Sequence, residues 1–182
     1  MRVIAGTARS LRLKTPEGTD TRPTTDRIKE TLFNMLQPYL YEAVFVDLFS
    51  GSGGIGIEAL SRGARHAYFA ENEKKALSCI RENLQFTHLT DRATVLQTDA
   101  VSALYSIHEK EADIIFMDPP YDCGHEERVL QTLSALPYVT ENTLIVLETS
   151  LKTDLSYLEE WGFLLEKEKV YKTNRHIFCR KK

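Results

Sequence analysis

The fold is decided by one segment, Asp47-Leu48-Phe49-Ser50-Gly51-Ser52-Gly53-Gly54-Ile55-Gly56. An apolar run, residues 43–48, leads into this segment, and a helix-like run, residues 54–62, leaves it. Glycine adopts positive φ without a Cβ penalty and lets a backbone approach a ligand closely. The first N–H groups of the following helix stay free for that ligand. The segment therefore predicts a strand, a tight turn and a helix that bind a nucleotide-like cofactor.

Apolar and helix-like runs alternate along the chain from residue 43. The strand-like runs are 43–48, 66–70, 93–97, 112–117 and 143–148, and the helix-like runs between them lie near 54–62, 73–87, 99–108 and 125–136. This alternation predicts a parallel sheet with helices on both faces. After a helix-like stretch near 153–161, the segments 163–171 and 174–180 predict a closing antiparallel hairpin. We therefore predict a Rossmann-like, doubly wound α/β fold with seven strands.

The residues before this alternating region show a different sequence pattern. Residues 2–14 alternate in character around a break at Gly6-Thr7-Ala8 and predict a short hairpin. Helical spacing then follows a possible cap, Thr24-Thr25-Asp26. We predict a small N-terminal appendage of hairpin and helix over residues 1–40 and a catalytic domain over residues 41–182.

The composition fits a globular chain with a real core. Hydrophobic residues make up 42% of the sequence, and no apolar run approaches the roughly 20 residues of a membrane span. The first six residues lack the apolar stretch of a secretory signal, so we expect a cytoplasmic protein. The three cysteines and five histidines show no ligand spacing, so neither a disulfide framework nor a metal site is expected.

Charge is distributed unevenly around a net value of −3. Residues 1–29 hold seven Lys/Arg and three Asp/Glu, residues 165–182 hold seven and two, and the middle holds nine and 21. Basic ends on an acidic body fit a docking surface for phosphates, but they also fit ordinary solvated charge. Charge alone leaves both interpretations open.

Three acids follow three successive predicted strands: Asp47, Glu71 and Asp99. Such folds bind ligands at the carboxyl edge of the sheet. There, Asp47 suits a cationic amino group better than a pyrophosphate, Glu71 can accept ribose hydroxyls, and Asp99 can accept adenine amino hydrogens. This set predicts S-adenosylmethionine, although the glycines also match the weaker dinucleotide pattern. Glu71 as a surface acid and Asp99 as a simple helix N-cap remain alternatives.

A second motif, Asp118-Pro119-Pro120-Tyr121, follows the fourth apolar run. An exocyclic amine on a base is a poor nucleophile because its lone pair is delocalised into the ring, and two adjacent hydrogen-bond acceptors would counter this. Asp118 offers a carboxylate and Pro119 a carbonyl that Pro120 keeps out of a helix. Tyr121 can stack on the base, at about 1–3 kcal/mol. The motif predicts an amino-methyltransferase acting on an unpaired or flipped base, and a proline-rich turn is the alternative.

Further motifs carry a family resemblance. They are Val3-Ile4-Ala5-Gly6 with Leu11-Arg12-Leu13, Arg22-Pro23-Thr24-Thr25-Asp26-Arg27 with Thr31-Leu32-Phe33-Asn34-Met35-Leu36, and Gly56 with Glu58-Ala59-Leu60-Ser61-Arg62-Gly63-Ala64. With these, the whole chain resembles the bacterial 16S ribosomal RNA guanine-N2 methyltransferases of the RsmD type. The segment from Arg22 to Leu36 is the most diagnostic, since the glycine-rich segment of residues 47–56 and the motif of residues 118–121 occur in many methyltransferases. Relatives usually carry Arg-Gly where this chain has Arg9-Ser10.

The resemblance implies a class I methyltransferase fold and methylation of the exocyclic N2 of one guanine in 16S ribosomal RNA. The expected substrate is the small ribosomal subunit or its assembly intermediate, and the enzyme is expected to be a monomer without a metal. Cofactor contacts are implied for Asp47, Phe49, Gly51, Gly53, Glu71, Asn72, Asp99 and Ala100, with Arg22, Thr24 and Thr25 beside the cofactor or the target. Asp118, Pro119 and Tyr121 are the predicted catalytic residues, while Arg9, Arg12, Pro120 and Tyr121 are predicted to bind the substrate.

Other functions fit part of this pattern. The same corner holds the N6 amine of adenine in DNA or RNA, although a DNA enzyme would need more than about 40 residues for target recognition. Protein-glutamine methyltransferases usually carry Asn in place of Asp118. A non-catalytic S-adenosylmethionine-binding assembly factor is opposed by the intact Asp118 and Tyr121. An NAD-dependent dehydrogenase would leave the Asp-Pro-Pro-Tyr corner unexplained.

Overall fold

The computed structural model describes residues 1–16, 25–120 and 124–182. The helices are α1 (Asp26–Leu40), α2 (Gly54–Ser61), α3 (Lys74–Phe86), α4 (Ala100–Tyr105), α5 (His125–Ala135) and α6 (Tyr157–Glu160). The strands are β1 (Val44–Leu48), β2 (His66–Glu71), β3 (Ala93–Gln97), β4 (Ile114–Met117), β5 (Leu144–Ser150), β6 (Phe163–Val170) and β7 (Asn174–Lys181). None of the described helices combines the length and the apolar character that a membrane crossing requires.

The strands of the described residues form one seven-stranded sheet in the order β3-β2-β1-β4-β5-β7-β6. The first five strands in this order run parallel, and β7 is antiparallel to both β5 and β6. The strand order reverses between β1 and β4, and this is where α/β sheets open a crevice for ligands. The predicted doubly wound α/β fold with a closing hairpin is confirmed.

Two apolar clusters cover the two faces of the sheet. One cluster joins α1, α2 and α3 to strand residues such as Phe45, and the other joins α4, α5 and α6 to residues such as Val46. Consecutive strand residues point to opposite faces, which is why each parallel strand reads as a continuous apolar run. The sheet is therefore covered on both sides and leaves its carboxyl edge for a ligand.

Helix α6 differs most from its predicted span, residues 153–161. The carboxylate of Asp154 accepts hydrogen bonds from the backbone N–H of Ser156 at 3.0 Å and from its hydroxyl at 2.8 Å. Such a local side-chain turn competes with helical hydrogen bonding. The helix consequently begins only at Tyr157.

The N-terminal segment, residues 1–16, packs against the first helical layer as a hairpin-like loop. A single antiparallel bridge joins Arg2 to Arg12, and Val3 and Leu13 enter the same apolar cluster as α1. Gly6 lies so close to Ser61 of α2 that an added Cβ would overlap the Ser61 carbonyl. The segment shares its core with the main domain, and the boundary at residue 40 stays a prediction.

A buried ion network fixes this segment and α1 to α2. Glu58 is fully buried and pairs with Lys29 at 3.2 Å and Arg62 at 2.7 Å. It also accepts the backbone N–H groups of Ile4 and Ala5 at 2.8 and 3.0 Å. Four donors around one buried carboxylate offset its desolvation. Replacing Glu58 would leave the buried charges of Lys29 and Arg62 without their carboxylate partner.

Candidate active site

The glycine-rich turn between β1 and α2 forms the floor of the site. Phe49, Gly51 and Gly53 have φ values of +62°, +54° and +79°, a region that glycine enters freely and Phe49 enters at a cost. A Cβ on Gly56 would overlap the ring of Phe69, so a side chain at that position would push α2 off the sheet. A Cβ on Gly51 would meet no atom of the described residues within 4 Å, so the turn leaves space there on the side of Gly51.

Asp47 lies beneath this turn, next to the last residue of β1. Its side chain is only 1% exposed, and it accepts the backbone N–H of Gly56 at 2.9 Å. Burial, with a smaller contribution from the charge of Glu71, raises the pKa of Asp47 to about 7. The ionised form thus lacks a full set of partners among the described residues, and a cationic ligand group would supply one.

Glu71 ties the end of β2 to the glycine turn. Its carboxylate accepts the N–H of Gly51 at 2.9 Å and the N–H groups of Asn72 and Glu73 at 2.8 and 2.9 Å. Each carboxylate oxygen has two lone pairs, so one acceptor position, on Oε2, remains for a ribose hydroxyl. The Asn72 side chain is exposed beside this position.

Asp99 is the N-cap of α4. This was the alternative to a cofactor contact that the sequence analysis gave for Asp99. It accepts the N–H groups of Val101 and Ser102, both at 3.1 Å, and the Ser102 hydroxyl at 2.7 Å. These bonds, led by the Ser102 hydroxyl, lower the pKa of Asp99. The following Ala100 is buried. The cap does not use every lone pair, so the contact with adenine stays a prediction.

The Asp-Pro-Pro corner leaves β4 beside the cofactor turn. Leu48 of β1 is in register with Met117 of β4, so Asp118 emerges next to the turn that follows Leu48. Asp118 is half-buried, Pro119 is buried and Pro120 is exposed. Burial, followed by the charges of Glu148 and Asp47, raises the pKa of Asp118 well above its usual range. Tyr121 lies outside the described residues.

Glu148 is a polar group of the site that the sequence analysis missed. It follows the four apolar residues that begin β5, is 6% exposed, and contacts His176 of β7, which is fully buried. The sequence did contain a signal for Glu148: an acid that directly follows four apolar residues, in Leu144-Ile145-Val146-Leu147-Glu148. Asn83 of α3 was also missed: its buried amide donates to the carbonyls of Lys14 and Ser52 at 2.9 and 3.0 Å. It thereby connects the N-terminal segment to the glycine turn.

The predicted substrate-binding arginines lie on the N-terminal segment. Arg9 and Arg12 are exposed. Between them, Ser10 has a φ of +71°, a conformation that glycine adopts without strain, which gives a reason for the Arg-Gly usual in relatives. Arg22 and Thr24 lie outside the described residues, whereas Thr25 caps α1.

The residues present fit S-adenosylmethionine. Among the residues that the structure describes, the buried Asp47 has no cationic partner, and a Cβ on Gly51 would meet no atom within 4 Å. The Glu71 carboxylate keeps one free acceptor position, on Oε2. Carboxylates after successive strands suit a ligand with a positive charge and ribose hydroxyls better than a pyrophosphate.

Comparison with known proteins agrees with this geometry. The family model described as Conserved hypothetical protein 95 matches residues 1–179. The chain belongs to this family, the RsmD family that its motifs indicated. Its fold is that of a class I methyltransferase, and S-adenosylmethionine is its methyl donor.

Individual relatives of the family are similar over most of their length. A Bacillus subtilis protein, YlbH, named as a candidate rRNA methyltransferase, is 41% identical over 157 residues, which is 85% of each chain. Ribosomal RNA small subunit methyltransferase D of Haemophilus influenzae is 35% identical over 169 residues, 92% of this chain and 88% of its own. The solved structure of an Escherichia coli protein, the candidate methyltransferase yhhF, superposes with a TM-score of 0.84 at 31% identity, covering 100% of this chain and 98% of its own.

Proposed function

We propose that this chain is an rRNA methyltransferase that methylates the exocyclic N2 of one guanine in 16S ribosomal RNA, within the small subunit or its assembly intermediate. One observation carries the proposal: the Asp118-Pro119 corner and the cofactor turn leave neighbouring strands, where Leu48 and Met117 are in register. S-adenosylmethionine supplies an electrophilic methyl group on its sulfonium. The chain's part is to hold the acceptor amine in line with that group, because positioning accounts for much of the rate in such reactions.

Guanine matches the corner through its hydrogen-bond donors. Ionised Asp118 only accepts hydrogen bonds, and guanine presents two neighbouring donors, its N1–H and its N2 amine. The Pro119 carbonyl can accept the second amine hydrogen. Adenine N6 is the second candidate, but adenine N1 is an acceptor, so a pairing of Asp118 with both N1 and N6 would require Asp118 to be protonated. The pKa of Asp118, which burial raises, makes the pH dependence of the reaction a way to separate the two bases.

The N-terminal segment provides a surface for the RNA backbone. A polar pocket is lined by Arg2, Arg9 and Arg27 together with Asp26 and Glu30. Arg2 is paired with Asp26 at 2.7 Å, whereas Arg9 is exposed and in position for a phosphate. Names of relatives that refer to the small ribosomal subunit support rRNA as the substrate of this chain.

The direct test is methyl transfer from labelled S-adenosylmethionine to small subunits from a strain that lacks this protein, with naked 16S RNA and genomic DNA in parallel. Mass spectrometry of the nucleosides identifies the product. N2-methylguanosine in 16S RNA is the expected result. N6-methyladenosine, or no transfer while the cofactor still binds, would refute the proposed reaction.

A matched pair of variants tests the role of the corner. Asp118→Ala should lower kcat at least about 100-fold, because it removes the carboxylate that accepts a hydrogen bond from the amine. Cofactor affinity should stay within a few-fold of that of the unmodified protein. Asp91→Ala is the control: Asp91 is exposed in the turn Thr90–Arg92 that precedes β3, at the opposite edge of the sheet, and its kcat should be unchanged. Loss of cofactor binding in folded Asp118→Ala would contradict the assigned role.

A further inference from the structure

A row of polar side chains crosses three strands beside the reacting corner. Met117 of β4 is in register with Leu147 of β5, so Asp118 and Glu148, one residue further along each strand, are neighbours. Glu148 is in turn in register with His176 of β7. Side chains in register project from the same face of a sheet. Asp118, Glu148 and His176 therefore form a line on the face that α1, α2 and α3 cover.

Glu148 is held in place by hydrogen bonds on both oxygens. His176 contacts Oε2 through Nε2 at 2.9 Å, and the amide of Asn174 donates to Oε1. The other ring nitrogen of His176, Nδ1, lies 3.3 Å from the Tyr171 hydroxyl. Glu148, Asn174 and His176 are all buried. A carboxylate fixed in this way cannot turn towards solvent, so its charge acts on its neighbour Asp118.

The charged and titratable groups around this line come from every neighbouring strand. Among the described residues they are Asp47 on β1, Asp118 after β4, Glu148 on β5, His176 on β7, Tyr171 before β7 and the exposed Lys169 of β6, which is in register with His176. On Asp118, burial is the main influence, and the charge of Glu148 comes before that of Asp47 in raising the pKa. A carboxyl with a raised pKa is a stronger base when it is ionised.

We propose that Glu148, fixed by His176 and Asn174, is a positioning residue whose charge makes Asp118 the acceptor of the proton that the methylated amine loses. In the transfer, the N–C bond forms as the S–C bond of the sulfonium breaks, and one N–H proton passes from the amine to Asp118 and then to solvent. This role rests on the proposed function, since it requires an amine as the methyl acceptor. It separates the two carboxylates: Asp118 touches the amine, and Glu148 acts through Asp118.

Two substitutions of Glu148 separate its charge from its packing. Glu148→Gln removes the charge and keeps the length, whereas Glu148→Asp keeps the charge and shortens the reach to His176. Activity rises with pH as Asp118 ionises, and loss of the neighbouring charge lowers the pKa of Asp118. The acidic limb of kcat in Glu148→Gln should therefore move to lower pH. In Glu148→Asp it should stay close to that of the unmodified protein. If the acidic limb of kcat lies at the same pH in the two variants, the proposal is overturned.

A second readout follows Asp118 directly and needs no RNA. NMR spectra of protein labelled with ¹³C in its aspartate carboxyls contain one signal for each aspartate. The signal of Asp118 is the one that disappears in Asp118→Asn. Its midpoint should lie well above 3.8, the ordinary value for Asp, and should fall in Glu148→Gln but not in Glu148→Asp. A midpoint at or below the ordinary value in the unmodified protein would overturn the proposal even if neither Glu148 variant folds.

The two readouts distinguish this proposal from the proposed function. In Glu148→Gln, the midpoint of the Asp118 signal could shift while the acidic limb of kcat does not and N2-methylguanosine is still formed. This result would show that Asp118 and Glu148 have no role in proton transfer. A product other than a methylated amine would refute the proposed function whatever the titration shows. Matching shifts of the carboxyl midpoint and the kcat limb, with N2-methylguanosine as product, would support both.

Discussion

The buried Asp47 should make S-adenosylmethionine affinity depend on pH below neutrality. Its pKa of about 7 results mainly from burial, with Gly56 N–H as a partner of the charged form. We predict that the cationic amino group of the cofactor pairs with ionised Asp47. Binding then requires ionisation, and the apparent dissociation constant is the intrinsic value divided by the ionised fraction.

The magnitude follows from this fraction. With a pKa of about 7, Asp47 is ionised in about one half of the molecules at pH 7, about one tenth at pH 6 and about one hundredth at pH 5. The dissociation constant should therefore be about 5-fold weaker at pH 6 and about 50-fold weaker at pH 5 than at pH 7. An amino group of the cofactor with a pKa near 7.7–8.0 remains protonated over this range and adds no slope.

Titration calorimetry measures both the affinity and the protons released, the latter from buffers with different ionisation enthalpies. Release should be about half a proton at pH 7 and close to one at pH 5. Asp47→Asn keeps an oxygen that can accept the Gly56 N–H but does not titrate, so its affinity should lack this slope. S-adenosylhomocysteine keeps the amino group without the sulfonium, so it should show the same slope as the cofactor.

Three outcomes would refute this reasoning. A dissociation constant that is flat between pH 5 and 7 would show that Asp47 is ionised before binding or does not meet the cofactor. A slope that persists in Asp47→Asn would assign the proton to another group, and Asp118 would be the first to test. A slope for S-adenosylmethionine but not for S-adenosylhomocysteine would move the contact from the amino group to the sulfonium.

Ionisation of Asp47 should strengthen cofactor binding, but in the protein without cofactor it should lower the stability of the fold. Because its folded-state pKa is raised, the contribution of Asp47 to the free energy of unfolding is fully present below the unfolded value of 3.8 and is lost as pH rises through about 7. A shift of roughly three units corresponds to about 4 kcal/mol at the alkaline end. Urea unfolding at several pH values should show that this part of the decline disappears in Asp47→Asn.

Two further predictions concern the N-terminal segment. Gly6→Ala should lower the free energy of unfolding by about 3 kcal/mol in urea titrations, because its Cβ would overlap the Ser61 carbonyl. Gly162→Ala, also at positive φ but with open space around its Cβ, is the control and should cost about 1 kcal/mol; equal losses would show that strain alone matters. Charge reversal of both Arg9 and Arg12 should weaken RNA binding and reduce the slope of log affinity against log salt by about 1.5 units. An unchanged slope, measured by filter binding, would remove both arginines from the RNA interface.

The sequence predicted the parts of this molecule that depend on local pattern. The alternation of apolar and helical runs gave β1 to β5 in order, and the closing hairpin followed from its two strand-like segments. The acids Asp47 and Glu71 were placed at the correct edge because the carboxyl ends of parallel strands share one edge. Asp118 was placed beside them by the same rule, as its strand follows theirs in a doubly wound sheet.

The missed contacts depend on pairings between distant segments. Asn83 lies 69 residues from Lys14, to which it binds, and its position on α3 carries no signal of that partner. His176 contacts Glu148 only because β7 inserts between β5 and β6, an order that periodicity does not reveal. Asp99 shows a different limit: one side chain can cap a helix and face a ligand, and sequence position supports both interpretations equally.

The acids at the carboxyl edge give a physical reason for cofactor selectivity. Asp47 and Asp118 both have raised pKa values, mainly because burial opposes their ionisation. The charge of Glu71 adds to this effect at Asp47, and the charges of Glu148 and Asp47 add to it at Asp118. A ligand with positive charge relieves both costs, whereas the pyrophosphate of a dinucleotide would add to them. The glycine turn alone accommodates either ligand, since its N–H groups and its shape are common to both classes. The carboxylates, rather than the glycines, therefore select against NAD, and replacing Asp47 should weaken this selection more than any change that preserves the charge of the edge.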